Sequence, residues 1–281
     1  VVALGTGNRP GSFRNVIGRF AGFAWCVEYA AAILTARAGM KLLSKAWFDI
    51  NVEKGRLRFS DMLLPEAEKR GEPDPDVFNG LLFDPNNPSL QARAVQKGGR
   101  QSAWFVQGIF GSAVLRHYRR GGLVAKISAN RYCWQGAQAT RSMAEFVMLH
   151  EMMMLGLPVP APLAAGYWRR GMSYRAALVV ARIENATPLA SQLLPENAIR
   201  VASVLKQFHD ANIWHADLNA FNILLDTSGT VWLIDFDRGR FRFMSAALRQ
   251  RNLRRLRRSL VKVAGQQGDA FWQALNSAYY A

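Results

Sequence analysis

The sequence predicts an α+β domain of two lobes, a β-rich first lobe and a mainly helical second one, behind an N-terminal extension. Three features point there. Short aromatic and apolar runs separated by glycines occupy residues 103–118, an apolar hairpin with a polar turn follows at 223–234, and helical periodicity marks the segments between and beyond them. A chain of 281 residues, 50% of them hydrophobic, can bury such a core.

Residues 1–75 read as the extension. Arg9, Arg14 and Arg19 precede the apolar run Phe20 to Val27, which Glu28 interrupts before Ala30 to Leu34. That is shorter than the roughly 20 apolar residues of a membrane span. Glu28 and the lack of a clear cleavage site also argue against a signal peptide, so an amphipathic helix is expected. Pro65 to Pro88 contains Glu72-Pro-Asp-Pro-Asp76 and Asp84-Pro-Asn-Asn-Pro88, a density of turn formers that reads as a linker. The catalytic unit is therefore expected over 76–281, with its lobes meeting near residue 180.

Within that unit, Ala103–Gly108 and Ser112–Tyr118 read as a β-hairpin about Gly108 and Gly111. Ser142 to Leu155 places Met143, Phe146, Val147, Leu149 and Met153 mostly on one helical face and stops at Gly156-Leu-Pro. Tyr174 to Ile183 reads as a buried strand, and Pro188 to His209 as a helix.

The 36 Lys and Arg against 20 Asp and Glu give a formal charge of +16, which calls for an anionic partner. Ten of those 36 cations fall between Arg238 and Lys262. There Leu248, Leu253, Leu256, Leu260 and Val263 recur at helical spacing, so a basic amphipathic helix is expected, suited to an anionic membrane surface. No nucleic-acid motif or basic-aromatic platform accompanies the charge, and no nucleic-acid partner is expected. Cys26 and Cys133 fit neither a disulfide framework nor a metal or redox spacing.

The chemistry is concentrated in His215-Ala-Asp-Leu-Asn-Ala-Phe-Asn222 and Ile234-Asp-Phe236. Asp217 lies five residues before Asn222, and Asn222 lies 13 before Asp235. Ile223 to Ile234 reads as two strands about Asp226-Thr-Ser-Gly229, which would bring Asn222 and Asp235 together. Phosphoryl transfer needs a group to orient the acceptor hydroxyl and oxygens to hold Mg²⁺ at the phosphates, and protein kinases place Asp, Asn and Asp at these spacings. The fold expected is therefore protein-kinase-like.

The resemblance narrows further. Ala113 to Lys126, His215 to Asn222, Ile234-Asp-Phe-Asp-Arg-Gly-Arg240 and Asn252 to Leu260 resemble the 3-deoxy-D-manno-octulosonic acid (Kdo) kinases of the lipopolysaccharide kinase family, over about residues 80–281. The resemblance implies transfer of the ATP γ-phosphate to the 4-hydroxyl of Kdo on a lipid A precursor. It also implies a place at the cytoplasmic face of a Gram-negative inner membrane. It casts Asp217 as the residue that orients the hydroxyl and takes its proton, with Asn222 and Asp235 holding Mg²⁺. His215, in the same catalytic loop, reads as its brace. Glu145 resembles the helix glutamate that pairs with the phosphate-binding cation.

The sequence departs from ordinary protein kinases in three places. The phosphate-binding cation is Arg116 or Lys126, and both stay open, with Arg116 at the end of Ala-Val-Leu favoured. Gly98 and Gly99 sit where a loop over the nucleotide phosphates belongs, but lack the spaced-glycine pattern. Asp237 replaces the glycine that permits activation-segment flexibility, which argues for a fixed geometry. Arg238 and Arg240 beyond it suit a Kdo carboxylate or lipid A phosphates. A kinase for another core sugar such as heptose, and a kinase-like binding module without activity, are the competing expectations.

Overall fold

In the computed structural model, which describes residues 47–64, 74–95, 103–119 and 131–281, one mixed sheet-and-helix unit runs from Trp47 to Ala281. Its sheet has eight strands, all paired antiparallel: β1 (Trp47–Val52), β2 (Gly55–Ser60), β3 (Arg93–Ala94), β4 (Ala103–Val106), β5 (Ala113–His117), β6 (Tyr132–Cys133), β7 (Pro162–Arg170) and β8 (Ser173–Ala181). The order is β1-β2-β7-β8-β5-β4-β3, with β6 pairing the first residues of β8. The predicted hairpin of 103–118 is β4 and β5, in the register Phe105 to Val114.

Alternation along β8 divides the core. Ala177 and Val179 face a cluster with Leu57, Phe59, Leu115 and Leu163, while Leu178 faces a second cluster shared with the helices. Helix α1 (Arg141–Met154) covers that second face with Met143, Phe146 and Leu149, and its Ser142 hydroxyl donates to the Gly166 carbonyl at 2.8 Å.

Three expectations are corrected here. The extension does not reach residue 75, because β2 pairs along its length with β7 and so belongs to the sheet. Nor is the proline-rich stretch a linker over its described part. Asn79 and Asn87 cap short 3₁₀ turns that place Phe78, Leu82, Phe83 and Leu90 under the sheet. Thirdly, the helix expected from Pro188 begins later, as α2 (Pro195–Asp210), with Pro195 at its first turn. Thr187–Pro188 is instead a short strand, β9.

Beyond α2 come β10 (Ile213–Trp214), β11 (Ile223–Leu225), β12 (Val231–Leu233), β13 (Arg240–Phe241) and α3 (Ala246–Tyr280). Leu253, Leu256 and Leu260 of α3 are buried as the periodicity predicts, but Val263 is 39% exposed. The reason is Gly265, whose φ of 54° and ψ of −124° break the helix just after it. The second half passes so near the first that a Cβ on Gly268 would lie 2.1 Å from the Leu260 carbonyl oxygen.

A test of the β2–β7 pairing follows from Gly55, where an added Cβ would lie 1.9 Å from the Tyr167 carbonyl oxygen. Gly55→Ala should lower unfolding stability by roughly 1–3 kcal/mol in urea titrations. Gly80→Ala, which meets open space, should stay within roughly 0.5 kcal/mol of wild type. Equal effects would contradict the register.

Candidate active site

The loop between β10 and β11 carries Asp217 and Asn222, and the β11–β12 hairpin returns the chain to Asp235. Ile223 pairs with Leu233, and the Asn222 carbonyl accepts from the Ile234 N–H at 3.0 Å. Asn222 and Asp235 are thus brought side by side as the spacing predicts. The Asn222 amide nitrogen donates to the Asp217 carbonyl at 2.9 Å, which leaves its Oδ1 as an acceptor. Asn219 ties the turn from inside: its amide donates to the same carbonyl, and its Oδ1 accepts from the backbone of Phe221 and Asn222.

His215 holds the two ends of this arrangement together. Its Nδ1 accepts from the Asp217 N–H at 3.1 Å, so Nε2 carries the proton that it donates to the Ile234 carbonyl at 2.9 Å. Burial lowers its pKa and favours this neutral form. It is a brace, with both ring nitrogens engaged.

Arg116 on β5 joins three elements. One guanidinium nitrogen donates to Asp235 Oδ1, and another to Glu145 Oε2 on α1. Glu145, 3% exposed, also accepts from the Tyr118 hydroxyl at 2.6 Å and the Phe236 N–H at 3.1 Å. Burial opposes the charge on Arg116, yet Glu145 and Asp235 together hold its pKa above the ordinary value. Burial works against the Asp235 charge too, and Arg116 holds that carboxyl below the usual range. For Glu145 burial outweighs the pull of Arg116 and raises its pKa to about 7. Asp235 has a left-handed φ of 65°, a conformation of order 1–3 kcal/mol in cost for a residue with a Cβ.

The first half of α3 braces the loop from behind, a role the sequence reading missed. Buried Asn252 donates to the His215 carbonyl at 2.7 Å, and the Ser259 hydroxyl accepts from the Ala220 N–H at 3.1 Å. Arg255 donates through Nε and Nη2 to Asp217 Oδ1. The available signal was Asn252 and Ser259, two small polar residues seven apart on one face of a basic helix. Behind them, His209 donates from Nε2 to Asn252 Oδ1 at 3.1 Å and accepts the Tyr279 hydroxyl at Nδ1, 2.7 Å away.

The other predicted residues divide into two groups. Gly98, Gly99 and Lys126 lie outside the described residues. Arg238 and Arg240 are exposed and make no ion pair among the described residues, and Arg240 belongs to β13, paired with Trp214 of β10. Asp237 binds Arg141 through Oδ2, which ties the segment to the start of α1, while its Oδ1 is buried without a partner among the described residues. Burial accordingly raises the Asp237 pKa.

Among the described residues no group of three His, Cys, Asp or Glu side chains is set to hold a metal alone. The Asn222 Oδ1, unpaired among the described residues, and the Asp235 carboxylate nevertheless fit Mg²⁺, which is commonly held by one or two protein oxygens plus substrate phosphates. A brace-held Asp, an Asn–Asp oxygen pair and a clamped cation are the equipment of a phosphotransferase. The comparisons agree. The model of the lipopolysaccharide kinase (Kdo/WaaP) family matches residues 88–279, and the chain belongs to that family. The 3-deoxy-D-manno-octulosonic acid kinase of Stenotrophomonas maltophilia is 50% identical over 190 residues, 66% of this chain and 76% of the relative. Those of Xanthomonas oryzae and Xanthomonas campestris are 48% and 47% identical over 206 residues, 70% of this chain and 83% of each relative.

The brace behind the loop makes a pH prediction. Burial lowers the His209 pKa to about 4, against about 6.5 in an unfolded chain. Between those values the unfolded chain binds more protons, so stability is full above pH 6.5 and is lost as pH falls towards 4. His209→Gln should flatten the decline measured by urea unfolding by at most about 1.4 kcal/mol per pH unit. An unchanged slope would show that His209 does not carry it.

Proposed function

We propose that this protein transfers the γ-phosphoryl group of ATP to the 4-hydroxyl of a Kdo residue on a lipid A precursor. The observation that carries this reading is the convergence of the Asp217–Asn222 loop, Asp235 and the Arg116–Glu145 clamp. The names of the relatives support Kdo as the sugar. The domain works as a two-lobed, kinase-like enzyme over its catalytic unit, with the nucleotide under the β5 side and the acceptor at the loop.

Asp217 takes the proton of the attacking hydroxyl, its carboxylate being 54% exposed and reachable. Asn222 and Asp235 would hold Mg²⁺, which would supply charge neutralisation at the phosphates. Arg116, kept in place by Glu145, meets the phosphate oxygens with the edge of its fork, Lys126 being the competing cation. Gly98 and Gly99 contribute to nucleotide binding. Arg238 and Arg240 bind the Kdo carboxylate or lipid A phosphates. The enzyme works peripherally at the cytoplasmic face of the inner membrane of a Gram-negative bacterium. Arg251, Arg254, Arg258 and Lys262, all exposed on one face of α3, suit anionic headgroups. No helix among the described residues is long and apolar enough to cross a membrane.

The test is transfer from γ-labelled ATP with Mg²⁺ to Kdo-terminated and heptose-terminated lipid A precursors. Label on the Kdo 4-hydroxyl is expected, and Asp217→Ala should lower kcat by at least about 10². Label on heptose alone would overturn the sugar, and full activity in Asp217→Ala would overturn the mechanism. In the same assay, replacing Arg238 and Arg240 with Gln should raise the acceptor KM about tenfold. The ATP KM should stay nearly constant, and an equal rise in both would sink their assignment.

A further inference from the structure

We propose that Arg255 is a working residue of the transfer centre: it fixes the Asp217 carboxylate by one oxygen and neutralises it towards the transferring phosphoryl group. The proposal rests on Asp217 as the acceptor of the hydroxyl proton. Both Arg255 nitrogens that reach Asp217 donate to Oδ1, Nε from 3.0 Å, which leaves Oδ2 without a partner among the described residues. An ion pair with side chains 45% and 54% exposed adds little to stability, so fold stability gives no reason for it.

The placement of Arg255 is built. Asn252 and Ser259, three residues before it and four after, fasten the same helix face to the His215 and Ala220 backbone. Of its neighbours, Arg249 pairs with Asp210 and Arg257 with Asp269, while Arg251, Arg254 and Arg258, exposed like Arg255 itself, make no ion pair among the described residues. The loop has no cation of its own, because its sole basic residue is His215, which is neutral. Among the described residues, Arg255 is the positive charge on the Asp217 carboxylate.

In the transfer step the hydroxyl proton passes to Asp217 Oδ2 as the hydroxyl oxygen bonds to phosphorus. The bond from phosphorus to the oxygen bridging to the β-phosphate breaks, and ADP leaves with that electron pair. The base must lie about 2.6–3.2 Å from the hydroxyl oxygen, and that oxygen about 3–3.5 Å from phosphorus. Two anions therefore face each other across a single oxygen atom. Uncompensated, the carboxylate would repel the γ-phosphate of ATP and leave ADP, which lacks it, nearly unaffected.

This difference supplies a binding readout that does not depend on turnover. Magnesium-ATP and magnesium-ADP are titrated calorimetrically into wild type, Arg255→Gln, Asp217→Asn and the double variant. We expect Arg255→Gln to lose about tenfold in ATP affinity with less than about twofold change for ADP, and the double variant to regain ATP affinity. With acceptor present, kcat of Arg255→Gln should fall about 10²-fold, and Arg255→Lys should recover part of it. Equal losses for ATP and ADP, or no recovery in the double variant, would mark Arg255 as a structural strut and overturn the proposal. Wild-type turnover in Arg255→Gln with Asp217→Asn inactive overturns this proposal alone. Wild-type turnover in Asp217→Asn removes the assignment beneath it as well.

Discussion

The guanidinium of Arg116 is the point on which the rest of the site depends. It leaves the sheet at β5, meets Glu145 on the helix above and reaches Asp235 beyond the hairpin, so one cation fixes the relation of three elements distant in sequence. A buried carboxylate such as Glu145 is costly without a partner, and a fully satisfied network of charge in a low-dielectric interior is correspondingly specific. The Tyr118 hydroxyl and the Phe236 N–H complete that satisfaction. An arginine suits such a junction better than a lysine, because its planar fork can serve two carboxylates at once.

A second support comes from the C-terminal helix. Phosphoryl transfer depends on position and charge more than on covalent chemistry, so a loop proposed to present a base and a metal ligand must not drift. Here the loop is pinned on both sides. His215 ties it forward to Ile234, and Asn252 and Ser259 tie it backward to α3. His209 of α2 then bonds both Asn252 and Tyr279, so the second half of α3 supports the first half that braces the loop. The basic face of α3 that turns to solvent and the polar face that turns to the loop belong to one helix with two tasks.

Much of this was legible in the sequence where local spacing carries it. Asp217, Asn222 and Asp235 sit at distances that a loop and a short hairpin enforce, the β4–β5 hairpin follows from its glycines, and α1 shows its apolar face. What escaped depended on partners far away in the chain. β1 and β2 mix polar and apolar residues and become strands by pairing, β2 against β7. β7 itself has six consecutive buried residues and so lacks the alternation that marks a half-buried strand. The proline-rich turns looked like a linker because their apolar residues, Phe78, Leu82 and Phe83, are too sparse to show a period. The pairing of Arg255 with Asp217 was hidden by the other arginines around it, since composition cannot say which of them reaches the loop.

In the proposed function the Arg116 junction receives the nucleotide phosphates. The most direct measurement is calorimetric titration of magnesium-ATP and of adenosine into wild type and Arg116→Met. Arg116→Met should lose about tenfold or more in ATP affinity with adenosine affinity unchanged, the scale of a charge-assisted phosphate contact. An Arg116→Met protein that binds ATP as tightly as wild type would contradict it.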